Sequence, residues 1–380
     1  MMFYFDNAAT TQMSEVAIKA LMDVSQNYYG NASSIYNYGR RSKAILTDAR
    51  EIIAKSIGAK ATEIFFTSCG TESDNWAVAQ AKYTRVDDVI TSKIEHHAVL
   101  NPVKQLKVDG TKTVFINVDE NGIIDKRQLA LLLNGKKQFV SVMFQNNETG
   151  MIQPIREIAE LVHNSNQHSI FHTDAVQAVG HMHINVKELG VDMLSASAHK
   201  FNGPKGVGFL YAREDLPIFP LILGGGQEKA MRSGTENIAG IYSMAKALEE
   251  NVMNIDTNIT RIKSLENRLL YLLDTEDIRY MINGDVNGKA PGILNISFGG
   301  VDGEGLLNVL DAQGICVSIG SACNSESKER SYVLSAMGLN EERIDSSIRI
   351  SIGILNTKEE VDKLANSIIR YIKLVDRINN

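Results

Sequence analysis

Apolar residues recur along this chain with two periods, and the change between them divides it. Residues 15–26 and 38–57 carry helical spacing; in the second, Ile45, Ala49, Ile52, Ile53 and Ile57 share one face and Gly58 ends the run. Short apolar runs then alternate with helical stretches. Residues 63–67 (EIFFT), 88–92 (DVITS), 113–117 (TVFIN), 139–144 (FVSVMF), 169–173 (SIFHT), 192–196 and 207–211 read as strands. Residues 73–83, 126–133 and 154–164 read as helices between them. The alternation predicts an α/β fold, a mostly parallel seven-stranded sheet with helices on both faces. Its crossovers should be right-handed and its ligands should gather at the carboxyl ends of the strands.

After about residue 255 the pattern changes. Helices are expected at 259–273, 304–313, 331–337 and 358–375, and strands at 293–298, 315–319 and 347–352. This reads as a smaller α+β unit, and the opening FYFDNAATT resembles an arm that could join it. The expected domains are residues 15–255, and residues 1–14 together with 256–380. No repeat or low-complexity segment interrupts either.

Composition narrows the class. The 380 residues are 44% hydrophobic and 22% charged, which excludes disordered and fibrous chains. A net charge of −6 argues against a nucleic-acid binder held by general electrostatics. The longest apolar run, 216–223, is interrupted by prolines and too short to span a bilayer, and no secretory signal opens the chain. Cys69, Cys316 and Cys323 have no paired spacing, which fits a reducing compartment. A cytoplasmic protein is expected, with no metal site and no direct membrane or nucleic-acid binding.

The polar oddities sit where the strands end. Phe65 and Phe66 run into TSCGTES, whose glycine, hydroxyls and helix start suit an anion, although Thr71 or Ser73 could simply cap the helix. Strand 88–92 delivers Glu95, His96 and His97, a titratable pair or a surface one. Strand 139–144 delivers Asn146 and Asn147, able to line a cleft or make a turn. Strand 169–173 delivers Asp174, a candidate carboxylate or helix cap. The fifth end delivers Lys200, a long cation among Ser, Ala and Gly that alone would read as a solvated loop lysine. Together these are what pyridoxal 5′-phosphate (PLP) requires: a phosphate cradle, a flat ring to stack, an amide for the phenolic oxygen, a carboxylate for the pyridine nitrogen and a lysine for the aldehyde. A nicotinamide site is disfavoured, because no GxGxxG opens a helix after the first strand.

Several blocks then identify a resemblance. FDNAATT at 5–11, GTESDN at 70–75, SKIEHHAV at 92–99, NNETG at 146–150, HTDAVQ at 172–177 and SASAHKFNGPKGVG at 195–208 are six of them. GGGQE…MRSGTEN at 224–237, GSAC at 320–323 and SSIRIS at 346–351 complete the set. In that order they resemble the cysteine desulfurases of the nitrogen-fixation and iron–sulfur-cluster type, class V aminotransferases of PLP fold type I. The resemblance implies that Lys200 holds the cofactor aldehyde and Asp174 its ring nitrogen. It implies that His96 stacks on the ring, that Asn147 and Gln177 flank the phenolic oxygen, and that Asn147 also meets the substrate. Thr71, Ser197, His199 and the Gly70 backbone would bind phosphate, and Thr235 would bind it in the other subunit of a homodimer. Arg349 would grip the carboxylate of L-cysteine with its planar fork.

The thiols differ. Cys316 sits in an apolar strand context and reads as structural, as does Cys69, which stands in the phosphate loop where the family usually has glycine. Cys323, among small polar residues, could be an ordinary loop cysteine; the resemblance makes it the nucleophile that takes sulfur from cysteine and passes it on. The expected reaction converts L-cysteine to L-alanine with a persulfide on Cys323. The acceptor would be an iron–sulfur scaffold, a tRNA-thiolation enzyme or a thiamin-pathway carrier. Selenocysteine lyase or aminotransferase activity on the same fold is an alternative, and a non-catalytic sulfur-relay subunit is one of another class. The chain departs from the family at Ala32 and Tyr36, where proline and histidine are usual, which bears on loop geometry rather than on cofactor chemistry.

Overall fold

The computed structural model describes residues 2–320 and 330–379. Its strands are β1 (Phe3–Tyr4), β2 (Ile64–Thr67), β3 (Asp88–Ser92), β4 (Lys112–Ile116), β5 (Gln138–Ser141) and β6 (Ile170–Asp174). They continue with β7 (Met193–Ser197), β8 (Gly208–Ala212), β9 (Met281–Ile282), β10 (Ile293–Ser297), β11 (Ile315–Cys316) and β12 (Ser347–Ser351). Between them run α1 (Glu15–Asn27), α2 (Asn37–Ser56), α3 (Gly70–Tyr83), α4 (His97–Val108), α5 (Lys126–Leu132), α6 (Ile155–Ser165) and α7 (Val186–Leu189). Then come α8 (Ile238–Met253), α9 (Ile255–Thr275), α10 (Gly303–Ala312), α11 (Tyr332–Ala336), α12 (Glu341–Asp345) and α13 (Lys358–Asn379).

The large sheet has the order β2-β8-β7-β6-β5-β3-β4, parallel except for β8, which runs antiparallel to β2 and β7. Alternate residues of each strand enter opposite cores, as a period of two demands. Ile90, Val140, Phe171, Leu194 and Phe209 pack under α2, α6 and α8. Val89, Phe139, Ile170, Met193 and Leu210 pack under α3 and α4. Both faces are therefore covered, and the parallel strands end together at one edge. The fold is the α/β arrangement that the alternation predicts, a mostly parallel seven-stranded sheet with helices on both faces.

Two of the longer helices escape a reading by periodicity. Helix α4 contains Pro102 and opens on the polar pair at 96–97, so its pattern is broken. Helix α8 buries Gly240, Ile241, Ser243, Met244, Ala245, Ala247, Leu248 and Asn251, which is too wide for one apolar stripe. Strand β5 ends at Ser141, short of 144, and β11 stops at Cys316, short of 319.

A second core gathers Leu294 and Ile296 of β10, Ile348 and Ile350 of β12, and apolar faces of α9, α10 and α13. The N-terminal arm reaches it: β1 pairs in parallel with β11, and Phe5 is buried among these residues. A smaller cluster of Ile94, Met143, Val333, Leu334, Met337 and Ile344 seats α11 and α12 against the carboxyl edge of the large sheet. No helix among the described residues is long and apolar enough to cross a membrane.

One buried ion pair braces the joint between the cores. Lys289 Nζ lies 2.7 Å from Glu266 Oε1 of α9, and that oxygen also accepts the Gly292 N–H at 2.7 Å. Lys289 bridges Met151, just beyond the NNETG turn, in an isolated antiparallel pair. Lys289→Met should lower stability by about 3–5 kcal/mol, because Glu266 is left buried without its counter-charge. Adding Glu266→Gln, which keeps an acceptor for Gly292, should recover most of the loss. Urea unfolding of the two variants beside the parent measures both.

Candidate active site

The carboxyl edge of the large sheet holds a cavity of ≈ 180 Å³. A cavity of ~150 Å³ already admits a benzene ring, so a small aromatic ligand is within its size. The strand ends singled out from the sequence all reach it: Gly70 and Thr71, His96, Asn147, Asp174 and Gln177, and Ser197, His199 and Lys200 line it, with Arg349. Thr235 does not. It is exposed on another face, in a hollow with Tyr28 and Tyr29. Cys323 lies outside the described residues.

The lysine turn is clasped by the N-terminal arm. Lys200 Nζ donates to the carbonyls of Ala8 at 2.5 Å and Ala9 at 2.8 Å. Thr11 donates to the His199 carbonyl through both its N–H and its hydroxyl, and His199 Nδ1 lies 3.1 Å from Thr10 Oγ1. Gln177 Nε2 donates to the Ala8 carbonyl at 2.9 Å. The same arm reaches Arg349, whose Nη2 lies 2.6 Å from Asp6 Oδ1 while Nη1 donates to the Asn147 carbonyl at 3.0 Å.

The start of α3 forms the opposite wall. Cys69, not Thr71 or Ser73, is the N-cap, and no side chain caps the helix, while the Ser73 hydroxyl turns inward to Thr67 Oγ1 at 2.8 Å. Cys69 lines the cavity, and its extended backbone tolerates a side chain where the family has glycine. Gly70 is required for another reason: a Cβ there would stand 2.7 Å from Val176 Cγ2. The departures at Ala32 and Tyr36 lie elsewhere, one buried beside α2 and the other exposed as the N-cap of α2.

Burial sets the charges. Asp174 Oδ1 accepts the Val176 N–H at 2.9 Å, and burial pushes its pKa up to about 6, against the pull of that N–H and of Lys200. His96 is held down at about 4 by burial and then by Lys200 and His97, so its ring is neutral near pH 7. Its Nδ1 accepts the Ala98 N–H at 3.1 Å, which leaves the ring proton on Nε2. His199 is also lowered to about 4, by burial and then Lys200. Periodicity gave no sign of Asp74, which is buried in the same cavity and raised well above the usual carboxylate range by burial and by Asp174. Its place in α3, one turn after the glycine, was the available signal. Beneath it His172 bonds Ser141 Oγ at 2.9 Å and Ser195 Oγ at 3.0 Å, neutral and fully buried.

The fit to PLP can be tested on unpartnered polar atoms. Ser197 Oγ, Asn147 Oδ1 and Arg349 Nε are buried with no hydrogen-bond partner among the described residues, and all three residues line the cavity. Native proteins rarely leave such atoms unsatisfied. A phosphate at the uncapped helix start would satisfy Ser197, a ring oxygen would face Asn147, and a carboxylate would face Arg349. The residues present fit the cofactor and an amino-acid substrate together.

Comparison with known proteins agrees with this geometry. The family profile described as aminotransferase class-V matches residues 3–364. The chain is 43% identical to the cysteine desulfurase IscS of Dictyoglomus turgidum, covering 99% of this chain and 96% of that one. It is 41% identical to the cysteine desulfurase IscS of Clostridium botulinum strain Hall, with 97% and 94% covered. A solved NifS-like protein superposes with a TM-score of 0.92 at 37% identity, covering 98% of this chain and 100% of its own. With its cavity, fold and blocks in agreement, the chain belongs to the class V aminotransferases and, among them, to the cysteine desulfurases of the nitrogen-fixation and iron–sulfur-cluster type.

Proposed function

We propose that this PLP-dependent enzyme converts L-cysteine to L-alanine and keeps the sulfur as a persulfide on Cys323 for transfer to an acceptor. The observation that carries the reading is the set of unpartnered atoms on Ser197, Asn147 and Arg349, which converge with Lys200, Asp174 and His96 on one cavity. When bound, PLP supplies a covalent hold on the amine and a sink for the electron pair left at Cα.

The chain's residues do the rest. Asp174, ionised, sits where it can pair with the protonated ring nitrogen. Lys200 would hold the cofactor aldehyde, and its amine, once free, would take the α-proton. Arg349 is held by Asp6 and the Asn147 carbonyl, so its Nε–H is aimed and ready for the substrate carboxylate. His96, neutral with its proton on Nε2, would lie against the ring and move protons at the substrate. Cys323 thiolate attacks the substrate sulfur. The S–S bond forms as the Cβ–S bond breaks, the electron pair left on Cβ takes up a proton, and Cα takes up a proton in place of the one lost to Lys200, which gives alanine.

We place the enzyme in the cytoplasm, given cysteines without a disulfide pattern, and assign residues 15–255 to a large domain and 1–14 with 256–380 to a small one. The acceptor is an iron–sulfur scaffold or a tRNA-thiolation enzyme. The chain acts as a homodimer, with Thr235 reaching the partner's phosphate. The exposed Tyr29, Ile35, Tyr36 and Tyr38 near the Thr235 hollow give that contact an apolar surface.

Lys200→Ala should lose the absorbance of the bound aldehyde and all turnover. Cys323→Ser should keep the absorbance yet form no persulfide; desulfuration at the parent rate by that variant would remove Cys323 from the mechanism. Because Asp174 in the unloaded protein titrates near 6, it is protonated below that pH and ionised above it. PLP affinity should therefore weaken as pH falls through 6, and Asp174→Asn should lack that part of the dependence in a fluorescence titration. Coexpressed Lys200→Ala and Thr235→Ala chains should regain activity that neither has alone, since one site of the mixed dimer then holds both native residues.

A further inference from the structure

Residues 321–329, which include Cys323, connect two fixed points, and the fold brings both points to one buried carboxyl. On the upstream side, Ser318 pairs with Arg349: Ser318 N–H donates to the Arg349 carbonyl at 3.0 Å, and Arg349 N–H donates to that of Ser318 at 2.6 Å. On the downstream side, Arg330 forks onto Asp345 at 2.7 and 2.9 Å and reaches Glu341 at 3.1 Å. Ser331 begins α11 by accepting the Leu334 N–H at 3.1 Å. The same hydroxyl donates to Glu148 Oε2 at 2.5 Å. A Cβ on Gly320 would stand 3.6 Å from that oxygen and 3.7 Å from Ser331 Cβ. The two ends therefore meet at Glu148.

Glu148 is fully buried, its Oε1 has no hydrogen-bond partner among the described residues, and burial pushes its pKa up despite Ser331 and the charge of Arg349. A half-satisfied buried carboxyl costs stability that an apolar side chain would not. Its neighbours explain the placement. Glu148 comes directly after Asn147, whose carbonyl holds Arg349. The next downstream residue, Tyr332, donates to the Glu95 carbonyl at 2.7 Å, directly before His96, and its ring centroid lies 4.9 Å from that of His97. Val333 and Leu334 then pack on Ile94 and Met143. Three anchors of the cysteine-bearing segment, Ser318, Ser331 and Tyr332, thus meet a site residue or its chain neighbour.

We propose that Glu148 and Ser331 form a positioning pair for sulfur transfer, fixing the point from which the chain departs to Cys323 and returns. The inference rests on the reading of Cys323 as the sulfur nucleophile. Cys323 is three residues beyond Gly320 in the sequence, a contour of at most ~11 Å, so an ångström-scale shift of the base matters. Misplacing reacting atoms by about 1 Å can cost on the order of a hundredfold in rate.

The test uses the PLP-loaded enzyme and its variants Ser331→Ala, Ser331→Thr and Glu148→Ala. Cofactor absorbance and its change on adding L-cysteine report the chemistry before sulfur transfer, and a single turnover with radiolabelled cysteine reports label on Cys323. Ser331→Ala and Glu148→Ala should keep both spectral signals and label about tenfold or more slowly. Ser331→Thr, which keeps the hydroxyl, should label within about twofold of the parent. Labelling at the parent rate in Ser331→Ala, or loss of the spectral signals together with the label, overturns the positioning role. A Cys323→Ser control that still takes label overturns the nucleophile assignment instead, so the two failures are distinct.

Discussion

A buried guanidinium must have an anion beside it, and in this fold the requirement is met by the far end of the chain. Arg349 lies in the central part of β12, 1% exposed, and Asp6 of the N-terminal arm is its counter-charge at 2.6 Å. Leaving such a cation unpaired would cost several kcal/mol. Once Asp6 is held there, the next residues of the arm are held too. Ser351 accepts the Ala8 N–H at its hydroxyl, and the carbonyls of Ala8 and Ala9 then turn onto Lys200. One ion pair thereby sets the distance between the residue that grips a carboxylate and the residue that holds an aldehyde.

Around that frame the cavity separates charge by burial. Asp174 and Asp74 face it from β6 and α3, and Glu95 and Glu148 lie under its rim, all with carboxyls pushed up by loss of water. The imidazoles of His96, His172 and His199 are pushed the other way and stay neutral. The cations Lys200 and Arg349 remain as the fixed positive groups facing the cavity, a suitable setting for a dianionic phosphate and a carboxylate.

Much of this was legible in the sequence, for physical reasons that also mark its limits. Strands buried on both faces read as apolar runs, so the seven strands of the large sheet were visible, and the residues just after them lined the site as the topology requires. Lys200, Asp174, His96 and Asn147 were found in this way. Asp6 and Asp74 were not, because their importance comes from partners that local pattern cannot see: an arginine 343 positions away and a carboxylate on a neighbouring strand. Helix α8 was missed since burial on most sides erases amphipathic spacing. The helix after Arg330 was expected, but its seat on Ile94 and Met143 against the large sheet is a tertiary fact with no period of its own.

The arm also imposes an order on the life of the molecule. Asp6 leaves the ribosome well before its partner Arg349, across a separation of 343 positions. At about 5–20 residues per second the arm waits roughly 17–70 s for its anchor. The large sheet, complete by Ala212, can form in that interval, and the arm can already bond the lysine turn through Thr11 and Gln177, but the carboxylate grip does not yet exist. A cavity with its lysine and its arginine both in place is thereby completed only when Arg349 has emerged.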